Sequence, residues 1–430
     1  MRRSAVALLA VGLSSALAAP TSRAVSDTTP LASSTIQLVK QRLAESGNDT
    51  WVAGTQTEAL LELDYKPLSV FASSFYPVPS TPHPSEVDSI ISAWAASRPS
   101  TTNQLALVQG GAAGDPASLG VGWIVASKTA SDRRQADQYY AEVGEEVDYL
   151  LNDVPRTSDG AISHRPASEP VQLWSDFVCA QLVLFAPSFE ERHMVPPFLA
   201  YHGVAASNAT MIAEAYNQCR LYRKYLRTSS GAWQHIVLGD FQDTGLWSTG
   251  CVALRFFLTR GEMWKLTKIR AASFVTGNGW AAAGMARVLA TIKHSDLSSA
   301  GSFASEVSDL TSWIVEILEA AFSYLQSDGL LPNYYDTSSF SEASGSALLA
   351  SAAYRLAVLD PSRDYSSLLA TAAKIRTAVN RGVSTSTGWV SPVVNPLDFS
   401  EQGSDSPESE AFVLLLQAAW QDWRAATGGA

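Results

Sequence analysis

Along most of the chain, apolar residues recur three and four positions apart, the period of a helix with one buried face. The pattern is clearest in "SEVDSIISAWAAS" from Ser85, "QADQYYAEVGEEVDYLLNDV" from Gln135, "ATMIAEAYNQCRLYRKYL" from Ala209 and "GWAAAGMARVLATI" from Gly279. It continues in "SEVSDLTSWIVEILEAAFSYL" from Ser305, "ASGSALLASAAYRLAVL" from Ala343, "YSSLLATAAKIRTAVNRGV" from Tyr365 and "ESEAFVLLLQAAWQDWR" from Glu408. Further helices are expected around Ile36, Trp51, Ala117 and Asp176, which brings the number to about a dozen. Strand-like alternation is scarce. The helices are separated by loops rich in Gly, Pro, Asp and Trp, such as "SDGAISHR", "GAWQHIVLGDFQDTGLWSTG", "SDGLLPNYYD" and "STGWVSPVVNPLDFSEQGSDSP". This organisation predicts an all-α fold, an (α/α)6 barrel of six helical hairpins whose loops gather at one end as a cleft. A solenoid of stacked helix pairs is the rival, but the fixed-period repeat expected of a solenoid is missing.

The first residues bear on the compartment. A basic "MRR", the apolar stretch "SAVALLAVGLSSA" and a small-residue "ALA" at Ala16–Ala18 read as a secretory signal peptide over residues 1–18. A polar linker, 19–34, follows it. No charge block or long Gly/Pro linker divides the remainder, so residues 35–430 are read as one barrel domain. The chain is therefore expected to be secreted, extracellular and monomeric, with no membrane association once the leader is cleaved. Asn48-Asp49-Thr50 and Asn208-Ala209-Thr210 are glycosylation acceptor tripeptides compatible with that route.

Composition narrows the partners. The 30 basic and 41 acidic residues leave a net charge of −11 with no basic cluster, which argues against nucleic acid and anionic membranes. Three cysteines allow one disulfide at most. The 12 Trp and 14 Tyr offer flat rings with a polar handle, suited to sugar faces, although core packing accounts for most such rings.

Loops on rigid scaffolds carry most binding chemistry. In "DGAISHRPASEPVQLWSDF", the residues Asp159, His164, Trp174 and Asp176 fall close together just before an expected helix. Asp176 beside Trp174 is a candidate general acid, because an apolar ring desolvates a carboxyl and raises its pKa. The alternative is an acid in a first helical turn, stabilised by the macrodipole. Asp115 in "GAAGDPASLG" poses the same choice, since Asp followed by Pro is a common way to start a helix.

Taken in order, "DGAISHR…LWSD", "MVPPFLAYHG", "WQHI", "NGWAAAGMARVL", "SEASGSALLASAAYRLA" and "GSDSPESEAFVLL" resemble the six-hairpin glycosidases, in particular the unsaturated glucuronyl and rhamnogalacturonyl hydrolases of glycoside hydrolase families 88 and 105. The resemblance runs from about Ala113 to the C-terminus. It implies that Asp176 is the general acid/base and that Asp115 corresponds to a second carboxylate of the cleft. It also implies that His164, Trp174, His235, Trp247, Thr249, Asn278 and Trp280 contact substrate. The implied chemistry is acid/base-catalysed hydration of a 4,5-unsaturated uronyl sugar on oligosaccharides from pectin-like cell-wall polysaccharide, with no cofactor and no metal. One departure bears on substrate. The related motif carries an Arg where this chain has Thr249 or Thr276, so a bidentate clamp is replaced by a single hydroxyl. Hydrolysis of a different, saturated linkage, or a non-catalytic glycan-binding relic, are the alternatives.

Two segments interrupt this series. Removing Cys251–Gly277 joins "LWSTG" to "NGWAAAGMARVL" without a break, and removing most of "CAQLVLFAPSFEERH" runs "LWSDFV" into "MVPPFLAYHG". Residues of about 179–193 and 251–277 are therefore suspected non-native insertions, retained introns in the gene sequence, with genuine surface insertions as the alternative.

Overall fold

The computed structural model describes residues 29–46, 49–98, 106–108, 112–178, 195–240, 242–246, 277–298, 303–337, 339–395 and 398–428. The expected leader and both suspected insertions lie outside these residues, apart from Gly277, and so do Trp247 and Thr249. The described flanks of the first segment are nonetheless in contact, since the turn Ser175–Val178 packs on the helix that begins at Val195.

Twelve α-helices alternate in character along the described chain: α1 Ser33–Ser46, α2 Thr50–Leu63, α3 Ser85–Ala96, α4 Gly120–Thr129, α5 Arg133–Asp148, α6 Val195–Ala205, α7 Ala209–Leu226, α8 Asn278–His294, α9 Ala304–Phe322, α10 Ala343–Leu359, α11 Ser366–Gly382 and α12 Pro407–Ala426. The even-numbered helices are buried on nearly every side, whereas the odd-numbered ones bury one stripe and expose the other. Each even helix packs on the next, and α12 packs back on α2. That closure makes a ring and rules out the solenoid. The odd helices form an outer layer, with α5 on α4, α7 on α6, α9 on α8, α11 on α10 and α1 on α12. The architecture is the (α/α)6 barrel expected from the sequence.

The inner ring is tight because its helices are rich in Gly, Ala and Ser, as in "ASGSALLASAAYRLAVL" of α10. At Gly54 a side-chain carbon would stand 2.6 Å from the carbonyl oxygen of Ser118, and at Gly120 one would stand 2.3 Å from the Phe198 ring. Because every second helix shares one direction, the loops that precede the six inner helices meet at one end. The opposite end is closed by buried charge. Glu62 accepts from Arg287 Nε at 3.0 Å and Nη2 at 2.7 Å, and its second oxygen accepts from Arg355 Nη2 at 2.9 Å. Arg355 also pairs with Asp422, which Lys66 reaches at 2.6 Å. One carboxylate thus ties α2 to α8 and α10, and Arg355 continues the tie to α12.

Glu62→Gln should leave two buried guanidiniums short of a counter-charge and cost about 3–5 kcal/mol in chemical denaturation; a loss under about 1 kcal/mol would show that water already screens the cluster.

Burial raises Glu146 and Glu410 to about 8, and Glu58 and Glu342 to about 7, with Arg287 only partly offsetting the effect at Glu58. A carboxyl whose folded pKa lies above its unfolded value binds more protons when folded. The contribution of these four to stability therefore falls as pH rises from about 4.5 to about 8. Glu146→Gln keeps the oxygen that accepts from Leu107 N at 2.9 Å and removes the titration. Its melting temperature should gain on wild type as pH rises through that window, and an unchanged difference would contradict the assignment.

Candidate active site

Three loops build the site: the one before α4, the one between α5 and α6, and the one between α7 and α8. Backbone bonds lace them together. Ala113 N donates to His164 O at 3.1 Å, His164 N to Gln172 O at 2.8 Å, and Ser175 N to His235 O at 2.9 Å. The short strand β1, Leu173–Trp174, pairs antiparallel with β2, Ile236–Val237. Asn278, first residue of α8, clamps the third loop: its Oδ1 accepts from Trp233 N at 2.8 Å and its Nδ2 donates to Trp233 O at 3.2 Å.

Trp174 is the hub. His164 stacks on it at 4.1 Å with the rings 11° apart, His235 meets it edge-on at 5.3 Å, and the Arg165 guanidinium lies 5.0 Å from its ring centre. Gln172 Oε1 accepts from both Trp174 Nε1 at 2.7 Å and Arg165 Nε at 3.0 Å, which fixes the ring and the cation together. Asp176 lies two residues on, in the turn Ser175–Val178, with Oδ1 3.9 Å from His164 Nδ1 and both side chains fully buried. Below it Phe177 stacks on Tyr222 at 4.6 Å, and the Tyr222 hydroxyl donates to Ile162 O at 2.6 Å. Burial, reinforced by Asp176, pushes the Tyr222 phenol well above its ordinary pKa, so it stays protonated.

Asp115 is buried too, but it does not cap the turn Pro116–Leu119 that it precedes; its Oδ2 accepts from Ala112 N at 3.1 Å. Burial lowers the pKa of Arg165 while Glu169, Asp115 and Asp176 hold it up, so one cation lies in the field of both site carboxylates. His235 is pulled below the ordinary imidazole range by burial, against the opposing bond to Asp243, and is neutral near pH 7. Its Nδ1 lies 3.0 Å from Asp243 Oδ2, which makes Nδ1 the protonated nitrogen and directs Nε2 to act as an acceptor.

The structure thus brings His164, Trp174, Asp176 and His235 into one cluster and reaches Asp115 through the Ala113–His164 bond. Trp280 lies in the first turn of α8, where it packs edge-on against Phe412 at 4.7 Å inside the ring. Asp159 belongs to neither: it accepts from Thr157, Tyr225 and Lys224 beside α7, with Lys224 foremost in holding its carboxyl well below the usual range. Sequence reading missed Arg165, Gln172 and Asp243. Arg165 stands next to His164 and Asp243 is eight residues after His235, but nothing in the spacing shows that they bond to site rings. Among the described residues no group of three or more His, Cys, Asp or Glu is placed to hold a metal ion, and no helix is long and apolar enough to cross a membrane.

Asp243→Asn removes the charge that favours the imidazolium, so His235 should titrate at a lower pH than in wild type, as read from its ring-proton shifts; an unchanged midpoint would mean that Asp243 does not act on it.

Comparison with known proteins agrees with this architecture. The chain superposes on a possible family 105 member from Salmonella enterica serovar Paratyphi A at TM-score 0.61 and 15% identity, over 90% of this chain and 93% of that one. A family 105 glycoside hydrolase from C. acetobutylicum gives 0.59 at 13% identity, over 90% and 99%. The unsaturated glucuronyl hydrolase of Bacillus sp. GL1 gives 0.54 at 12% identity, over 92% and 96%. At such identities the likeness speaks for a shared fold. No curated protein matches the sequence. The family profile described as Glycosyl Hydrolase Family 88 matches residues 129–358, more than half of the chain and the stretch that holds Trp174, Asp176, His235 and the inner helices α6 and α8. The chain therefore belongs to glycosyl hydrolase family 88 and is a glycosidase.

Proposed function

We propose that this glycosidase removes a 4,5-unsaturated uronyl sugar from the end of an oligosaccharide, with Asp176 as general acid and then general base. The observation that carries the reading is the burial of Asp176 against His164, with the Arg165 cation in its field. Asp176 gives its proton to C4 of the C4=C5 double bond, and positive charge develops at C5 and the ring oxygen. Water adds at C5 and returns a proton to Asp176, so the carboxyl ends as it began. The hemiketal then opens and the neighbouring sugar leaves. A buried site strengthens each of these electrostatic contacts relative to water.

Arg165 supplies a positive charge for the substrate carboxylate, a charge that Thr249 cannot offer. His235, held as its neutral Nδ1–H tautomer, presents Nε2 to a sugar hydroxyl, and His164 and Trp174 form the wall behind the reacting ring. Asp115, Asn278 and Trp280 complete the cleft, Asn278 by fixing the His235 loop. Support for the substrate class comes from the fold shared with unsaturated glucuronyl hydrolases. The leader-like first residues support secretion, and with it a role on pectin-like cell-wall fragments by a monomeric extracellular enzyme.

Asp176→Asn keeps the shape and loses the proton, so kcat should fall by about 10²–10⁴. The assay is loss of the vinyl uronate absorbance when lyase-generated oligosaccharides are added; wild-type turnover in the variant would move the role elsewhere. New reducing ends from saturated glycans alone would favour the alternative linkage, which the missing motif Arg suggests. Arg165→Met should weaken transition-state binding of the charged substrate by about 1.5–3 kcal/mol, seen mainly in KM. A KM unchanged within twofold would take Arg165 out of substrate binding.

A further inference from the structure

One sequence feature lies well away from the cleft. Asn208-Ala209-Thr210 spans the end of the turn that joins α6 to α7 and the first two residues of α7, and all three residues are exposed. Its backbone is firmly set: Ser207 N donates to Val204 O at 3.1 Å and Asn208 N to Gly203 O at 2.6 Å. Asn208 is the N-cap of α7, with its Oδ1 accepting from Thr210 N at 3.0 Å and Met211 N at 3.2 Å. Because the amide oxygen is turned to these donors, the amide nitrogen projects from the other side of the planar group. The turn follows the C-terminal end of the inner helix α6, whereas the site loops precede the inner helices, so helix α6 of 11 residues, about 16 Å long, separates the two ends.

We propose that Asn208 is an acceptor for an N-linked glycan, which the fold carries on the barrel face opposite the cleft. In the transfer, Asn208 Nδ2 forms a bond to C1 of the sugar of a lipid-diphosphate-linked oligosaccharide. The C1–O bond to phosphate breaks, the lipid diphosphate leaves, and the nitrogen gives up one proton. The folded turn accommodates the product because the atom that carries the glycan points outward while the oxygen keeps its capping bonds. Thr210 takes part through its hydroxyl, the third position of the acceptor tripeptide.

This inference rests on the secreted reading, and the experiment separates the two. The chain is expressed in a eukaryotic host twice, once with its own residues 1–18 and once with an established secretory leader in their place. Peptide mass spectrometry after enzymatic glycan removal should find Asn208 converted to Asp in the second preparation whatever the first one does. Retention of only the first inside the cell would count against the secreted reading alone. Thr210→Ala abolishes the tripeptide and keeps the capping oxygen, and Asn208→Asp keeps the cap and removes the acceptor nitrogen. Both should lose one glycan at this position while kcat/KM on the oligosaccharide substrate stays at the wild-type value. An unmodified Asn208 in the chain secreted by the established leader overturns the proposal, and so does a kcat/KM that drops when the glycan alone is removed, because the site would then not be remote from the cleft.

Discussion

Burial of the inner helices on every side is the constraint from which the rest of this structure follows. A helix with no solvent face has no cheap position for charge along its length. Small residues let six such helices approach closely, and the contacts at Gly54 and Gly120 leave no room for even one added carbon. Charged groups are therefore placed where they meet a partner. Toward the far end, Glu62 is held between Arg287 and Arg355, and the pairing joins helices that are distant in sequence. Such a cluster is weak evidence for added stability but specifies how the ring closes, since one missing member strands the others.

The same constraint shapes the opposite end. Loops that precede parallel inner helices converge there, and the positive ends of the helix dipoles point toward them. Glu342, just before α10, accepts there from Ser344 N and Gly345 N, which only partly offsets the burial that raises its pKa. Rigidity comes from the backbone bonds among the loops and from Trp174, whose ring organises His164, His235 and Arg165 around one plane. A buried carboxyl beside a stacked imidazole and a guanidinium is an arrangement whose geometry costs little to maintain during reaction, because each group is already oriented.

Much of the fold was legible in the sequence. Period-3.6 patterning distinguished helices from strands, and the number of helices and the absence of a repeat pointed to a closed barrel. The structure adds the layers: the stretch "NGWAAAGMARVLATI" is buried all round and "SEVSDLTSWIVEILEAAFSYL" along one stripe, because one helix is surrounded by protein and the other faces water. The order of short motifs indicated the family and singled out Asp176, Trp174, His164 and His235.

Tertiary structure alone decided which of these residues meet and what accompanies them. Asp159 stands nearer in sequence to His164 than Asp176 does, yet it turns outward to Lys224, because its side of the loop faces α7. Asp115 looked like a helix cap and instead accepts from Ala112, while Asn278 uses its amide on Trp233. Arg165, Gln172 and Asp243 carry no periodic signal, since a hydrogen bond between loops depends on distances set by three separate chain segments. The helices, their closure into a barrel and the kind of chemistry present could be read from the sequence, whereas the layers could not. The partners of each polar group came only from folding, because local periodicity records exposure to water and not the identity of a neighbour remote along the chain.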